Sequence, residues 1–376
     1  VVSTKVTFDM NSTAYIGVGL MCGTSLDGLD VAIVKFSPKN GQWNFTVLKT
    51  DEVKLPSLLK EQLEKAQTLN GEKLSLLNIE LGRFIGIEVR SILNKFQFIP
   101  DFIASHGVTV FHQPENNLTL QIGSGAEIAV QTGIKTICDF RTTDIALGGQ
   151  GAPLVPFADN DLFSKYDYAL NLGGFCNLSK NELSLSGFDI TVCNMALNSL
   201  IKEIGHEYDA NGDLATRGIA QSDMLNDLND LDYFKKTGPK SLGKEWFENE
   251  FEAILKNYRD YSLADRLKTV CRHIGFQLGT YLNDPQKNCL VTGGGTHHKA
   301  LIKEIRDHSK SQLIIPAPEL INFKEAICFA YFGLMRLLER QNISVEVTGA
   351  RLNSSSGAVY LPPLSNHRLS TENHQG

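Results

Sequence analysis

The stretch GLMCGTSLDGLD, Gly19 to Asp30, decides how the rest of the chain reads. Apolar, β-branched runs flank it, Ala14–Met21 before and Leu29–Phe36 after, so the stretch is the turn of an antiparallel hairpin. A plain hairpin turn asks only for one or two residues that tolerate positive φ. This one holds Gly23 and Gly28, the hydroxyls of Thr24 and Ser25, and the carboxylates of Asp27 and Asp30, with Leu26 and Leu29 between them. Glycine lets the main chain close on a bulky anion and aim N–H groups at it, and hydroxyls donate to phosphate oxygens. Carboxylates at 27 and 30 suit a hydrated Mg²⁺. Asp30 reads equally well as an outward-facing strand residue.

Two more strand ends repeat the theme. Tyr168–Leu172 runs into Gly173-Gly174, and Cys289–Thr292 runs into Gly293-Gly294-Gly295. One such turn is weak evidence, whereas three strand-to-turn junctions point to one shared ligand. The chain has no GxxxxGK[ST] and no GxGxxG opening a helix, which excludes a P-loop and weakens a dinucleotide reading. A nucleotide gripped by hairpin turns from two domains remains, the plan of the sugar kinase, actin and chaperone ATPase superfamily.

Composition agrees with a soluble α/β enzyme. A length of 376 residues predicts two domains rather than one core. Lys and Arg number 36 against 42 Asp and Glu, and no basic run occurs, which argues against nucleic acid or an anionic membrane as partner. Seven cysteines without a CxxC pair, most in apolar surroundings, read as reduced thiols. No apolar stretch reaches 18 residues, and residues 1–9 lack the layout of a secretory leader, so a cytoplasmic location is expected, with Met10 a candidate start.

Further elements follow from periodicity. Leu74–Phe96 reads as a long surface helix, with Phe102–Ser105, Lys135–Phe140 and Leu183–Phe188 as strands, the last ending at Asp189. Asn194 and Asn322 are candidate N-caps, the second for a last helix running to about Arg340, and Ser262 with Asp265 has capping-box-like spacing. Residues 205–260, rich in Asp, Asn, Lys and Gly, read as a polar insertion lying over a surface. The expected domains are 1–139, rejoined by about 345–376, and 140–344, with an active-site cleft between them.

The chain resembles the anhydro-N-acetylmuramic acid kinases, a family of that superfamily, through motifs in order from about Tyr15 to Tyr360. They are GLMCGTSLDGLD, ASHGVTVFHQP at 104–114, DFRTTDIALGGQGAPLVP at 139–156, NLGGFCNLS at 171–179, GFDITVCN at 187–194, GPKSLGKEWF at 238–247, VTGGGTHH at 291–298 and NFKEAICFAYFG at 322–333. The resemblance implies an actin-like, ribonuclease H-like two-domain fold and a kinase that uses ATP and Mg²⁺. It implies that water opens the 1,6-anhydro ring at C1 while O6 takes the γ-phosphoryl group, and that the enzyme forms a homodimer.

Residue by residue, the resemblance implies that Asp189 is the catalytic base and that Glu325 helps position sugar or water. Gly23–Asp30 would cradle the β- and γ-phosphates, Gly173 and Gly174 would face them, and Gly293–Gly295 would border adenosine. Asp27 and Asp30 would hold the metal, while His106, Thr109 and Arg141 would contact the sugar, the guanidinium suiting its lactyl carboxylate. The chain departs from the family at Val108, at Thr142-Thr143 and at Thr191-Val192-Cys193. Those departures leave open a same-fold kinase for another sugar, or a nucleotide-binding regulator without turnover. His297 and His298 lack partners at metal-ligand spacing, which argues against a metal hydrolase.

Overall fold

The computed structural model describes residues 14–23, 26, 28–39, 41–180, 186–236, 240 and 242–364. Met10, Thr24, Ser25 and Asp27 lie outside them, as do residues 183–185 of the expected strand and parts of the GPKSLGKEWF motif. The strands, in chain order, are β1 (Tyr15–Met21), β2 (Leu29–Lys39), β3 (Gln42–Val53), β4 (Phe102–Ser105), β5 (Val108–Gln113), β6 (Leu118–Ile122), β7 (Thr136–Cys138), β8 (Tyr168–Leu172), β9 (Phe175–Lys180), β10 (Ser186–Val192), β11 (Asn288–Thr292), β12 (Gln312–Ile314) and β13 (Ala358–Tyr360).

The chain divides into two mixed α/β units, the organisation of an actin-like ATPase. The first contains residues 1–158 and 325–376, and the second residues 159–324. These boundaries differ from the expected 139/140 and 344/345. The stretch 140–158 and the helix beyond residue 324 belong with the first unit because their side chains pack there. Phe329 packs on His106, Tyr331 on Phe36, and the Asp144 carboxylate accepts from Thr348.

In the first unit a six-stranded sheet runs β13-β7-β4-β1-β2-β3. The hairpin around the opening stretch is confirmed: β1 and β2 pair antiparallel from Tyr15↔Phe36 to Met21↔Asp30. The helix Gly71–Phe96 is capped by Asn70, whose side chain accepts from Lys73 N–H, and buries Leu77, Leu81, Ile85 and Val89, an i, i+4, i+8 stripe. Gly19 is glycine for a packing reason, since a Cβ there would lie 1.8 Å from the Ala326 carbonyl oxygen.

In the second unit a five-stranded sheet runs β10-β9-β8-β11-β12. The Ser262 hydroxyl accepts from Asp265 N–H and starts the helix Leu263–Gly279, as its spacing predicts. Three local expectations are corrected. Asp189 lies inside β10 rather than at its end, next to a β-bulge at Ile190. Asn194 does not cap its helix; its amide turns back to the Leu172 carbonyl, because the neighbouring turn already supplies acceptors to the first N–H groups. Asn322 stands one residue before a kink at Phe323 in the helix Pro318–Leu337, so that helix begins earlier than expected.

Residues 205–260 are also more than a polar cover. Ala215, Met224, Leu228, Phe247, Phe251 and Leu255 are buried in the core of the second unit. All seven cysteines are free thiols and only Cys138 is partly exposed; burial pushes Cys138 up to about 11 and Cys289 up to about 12.

Candidate active site

The first unit carries His106, Thr109, Arg141 and Glu325, together with the described part of the Gly23–Asp30 turn. His106 directly follows β4, and Gly107, at φ +74°, turns the chain into β5. Its Nδ1–H donates to the Gly107 carbonyl at 2.9 Å, and its Nε2 lies 2.8 Å from Arg141 Nη2. A guanidinium only donates, so Nε2 is the acceptor and the ring is a neutral Nδ1–H tautomer. Burial, then the Arg141 charge, pushes His106 down to about 3. Both ring nitrogens are occupied, and the ring packs on Phe329 at 4.8 Å between centroids.

Arg141 is differently placed. Its Nε is buried without a hydrogen-bond partner, and burial pushes the guanidinium down while the Glu325 charge pulls it up. Glu325 is half-buried in the first turn after the kink at Phe323. Thr109 on β5 opposes Gln121 on β6, whose amide reaches its hydroxyl at 3.4 Å. Beside them a cavity of about 310 Å³ opens among Asn78, His106, Gln121, Ser124, Asp139 and Thr142.

Two residues of this half escaped sequence reasoning. The Asp144 carboxylate, fully buried, accepts from Gly151 N–H at 2.7 Å and from the Thr348 hydroxyl at 2.6 Å, which fixes the loop Gly148–Gly151. A Cβ at Gly149 would sit 2.2 Å from that carboxylate, so the loop's glycine follows from Asp144. His112 is held low by burial and by the Arg141 charge. No local sequence signal marks either, because both act on residues brought near by the fold. Of the departures, Val108 is buried in the core opposite Ile122, and the Thr142 hydroxyl donates to Asp139 at 2.6 Å.

In the described part of the opening turn, Leu26 is buried with φ +53° and donates N–H to the Gly23 carbonyl at 3.1 Å. Asp30 opposes Met21 and Glu52. Hard carboxylate oxygens are the right donors for Mg²⁺. Among the described residues no cluster of three or more His, Cys, Asp or Glu forms a cation site, and Asp27 lies outside them. The adjacent histidines serve the fold: His298 Nδ1 accepts from Leu301 N–H, and His297 pairs with Asn322.

The second unit carries the other two glycine turns and Asp189. A Cβ added at Gly173, Gly174 or Gly294 would meet nothing nearer than 3.4, 3.7 and 3.7 Å respectively, and none has left-handed φ. Neither packing nor backbone conformation therefore demands glycine at these three, which leaves room for close approach of a ligand to the main chain. Gly293 and Gly295 contrast with them, since Cβ atoms there would collide with Asn171 Oδ1 at 2.5 Å and Leu172 Cβ at 2.8 Å. The two turns thus touch.

Asp189 is joined to those turns by a polar row. It opposes Asn177 on β9, Asn177 opposes Asn171 on β8, and Asn171 opposes Thr292 on β11. Directly opposed residues share a sheet face, so the row spans one face, and two strand spacings put Asp189 about 10 Å from Asn171 beside the turns. Asn177 Nδ2 donates to Asp189 Oδ1 at 3.1 Å, and Leu242 N–H donates to Oδ2 at 2.9 Å. Burial pushes this carboxyl up from its ordinary value, while those two donors pull it back.

A family model described as anhydro-N-acetylmuramic acid kinase matches residues 14–362. The chain is similar to the anhydro-N-acetylmuramic acid kinase of Aliivibrio fischeri, with 34% identity over 368 residues that cover 91% of this chain and 98% of the relative. It is similar to that of Vibrio parahaemolyticus, with 32% identity over 367 residues covering 91% and 97%. For the Bacillus cereus strain Q1 enzyme of the same description, identity is 32% over 381 residues, covering 92% and 99%.

Proposed function

The chain belongs to the anhydro-N-acetylmuramic acid kinase family, and from that premise we propose how its own residues carry the reaction. The activity is ATP-dependent phosphorylation of 1,6-anhydro-N-acetylmuramic acid to N-acetylmuramic acid 6-phosphate in peptidoglycan recycling.

Water is a weak nucleophile, and Asp189 is the base that accepts its proton as it adds to C1. The C1–O6 bond breaks, O6 takes the γ-phosphoryl group of ATP, and ADP leaves. Gly173, Gly174 and Gly293–Gly295 receive the nucleotide, and Gly23–Asp30 the terminal phosphates. Asp27 and Asp30 would hold Mg²⁺, which when bound would supply positive charge to offset that of the terminal phosphates. Arg141 takes the substrate's lactyl carboxylate in a charge-assisted pair, with His106 holding the guanidinium in place. Thr109 hydrogen-bonds the sugar, and Glu325 orients sugar or water beside Arg141.

The observation that carries this reading is the doubly hydrogen-bonded Asp189 carboxylate in one polar row with the glycine turns. Asp189→Asn tests it. Nucleotide binding measured by calorimetry is expected to persist while turnover falls by about 10²–10⁴-fold, the range for losing a general base. Turnover equal to the parent's would remove Asp189 from the chemistry.

A further inference from the structure

The segment 231–242 includes the first half of a motif, GPKSLGKEWF, to which the reaction assigns no role, yet its described residues reach Asp189 at three points. Asp189 N–H donates to the Lys240 carbonyl at 3.0 Å, the Tyr233 hydroxyl donates to the Asp189 carbonyl at 2.6 Å, and Leu242 N–H donates to Oδ2 at 2.9 Å. Asn177 supplies the fourth bond, to Oδ1. Each main-chain polar group of Asp189, and each carboxylate oxygen, therefore has a partner.

Sheet topology explains why a distant segment is used. β10 is an edge strand, and its register with β9 breaks at the bulge by Ile190. The outward N–H and C=O of an edge strand would otherwise be left to water or to another chain. Tyr233 and Lys240 occupy that edge. Tyr233 is itself fixed: Trp246 packs on its ring at 5.2 Å between centroids, and the Lys240 ammonium lies 4.4 Å above it. Two residues beyond Asp189 on β10, the Thr191 hydroxyl donates to His273 Nε2 at 2.8 Å.

We propose that Tyr233, Lys240, Leu242 and Asn177 form a positioning frame for Asp189, holding its carboxylate aimed and ionised for proton transfer. The inference rests on Asp189 being the base. Two neutral donors on the two oxygens favour the charged form, which offsets part of the burial around it. The titratable groups nearby do not compete. Burial chiefly pushes up both Cys176 on β9 and the Tyr233 hydroxyl, and the Asp189 charge adds to the rise in each. The Lys240 ammonium is spent on the carbonyls of Tyr233 and Lys236 at 3.2 and 3.1 Å, and Tyr281 packs edge-on against Phe188.

The frame makes a prediction that mere edge protection does not. Asn177→Leu removes a donor to the ionised carboxylate, so the acid limb of the kcat–pH profile should move up by about one pH unit, with the plateau kept within a few fold. Asn177→Thr, suited to a strand and too short to reach Oδ1, should give the same shift if the leucine variant folds poorly. Tyr233→Phe removes a bond to the main chain rather than to the carboxylate, so it should lower thermal stability and leave the limb in place. An unmoved acid limb in both Asn177 variants would overturn the frame. That outcome, alongside loss of turnover in Asp189→Asn, would leave the base itself intact, whereas an active Asp189→Asn enzyme would end both.

Discussion

Asp189 in the second unit and Arg141 in the first are both charged groups drawn away from water, and they are treated in opposite ways. Around Asp189 each polar atom of the residue has a hydrogen-bond partner, and the partners are neutral. Around Arg141 the described residues supply one neutral acceptor, His106, together with the charge of Glu325, and among them Nε is buried without a partner. A buried donor without a partner costs free energy, of order 1–3 kcal/mol. The difference suits the two tasks proposed for them. A base must keep one orientation while its proton count changes, whereas a receptor for an anion is built with the anion's hydrogen bonds missing.

After the loss expected of Asp189→Asn, the largest effect should come from Arg141→Met. If Arg141 receives the lactyl carboxylate, its truncation leaves that carboxylate unpaired, and kcat/KM for the anhydro-muramic sugar should fall by roughly 10²-fold, mostly through KM. An anhydro-amino sugar lacking the lactyl group should be used about equally by parent and variant. A matching fall on both sugars would show that Arg141 serves the fold, and would erase the contrast with Asp189.

Smaller in effect is the anchoring of the Gly148–Gly151 loop. Asp144→Ala leaves Gly151 N–H without its buried acceptor, while the Thr348 hydroxyl keeps the Ser344 carbonyl at 3.3 Å. A cost of about 2 kcal/mol, or roughly 4–8 °C in thermal midpoint, is expected from one unsatisfied buried group in a unit this size. Asp144→Asn, which keeps one acceptor oxygen, should lose less. A midpoint unchanged in Asp144→Ala would mean that the Gly148–Gly151 loop is fixed by something else.

The two regions also differ in how much of them the sequence discloses. The β1–β2 hairpin, the helix Gly71–Phe96 and the strand Tyr168–Leu172 were legible because each is set by residues within a few positions of one another, through period-2 or i, i+4 spacing. The Ser262 cap was legible for the same reason. Asp189 could be singled out by its motif, but its partners Tyr233 and Leu242 lie 44 and 53 residues away, and no local pattern joins them. The 205–260 region misled because composition averages over positions. Met224 and Leu228, or Phe247, Phe251 and Leu255, are spaced four apart and buried, while the Asp, Asn and Lys residues between them set the average. His106 reads as a sugar ligand from its motif, and only the structure shows both its nitrogens engaged.

The smallest expected effect compares two histidines, one in each region. His106 and His273 are both buried Nδ1–H tautomers, the first accepting from Arg141 and the second from the Thr191 hydroxyl, while His273 Nδ1–H donates to Asn229 Oδ1. Each is pushed down to about 3 from an ordinary value of 6.5, His273 by burial and His106 by burial and then by Arg141. Between those two values the unfolded chain binds a proton that the folded chain refuses. Stability therefore falls as pH drops from about 6.5 toward 3, and these rings contribute nothing to its pH dependence above 7. His106 is a poor place to test this, since its loss would also release Arg141. His273→Gln retains a donor and an acceptor for Asn229 and Thr191 but takes up no proton. Its urea midpoint should decline less steeply than the parent's across the window, by up to about 1.4 kcal/mol of unfolding free energy per pH unit, the slope for one proton. Parallel curves for the two proteins would show that His273 charges as readily in the folded chain as outside it, and that the network tying Thr191 to Asn229 does not depend on a neutral ring.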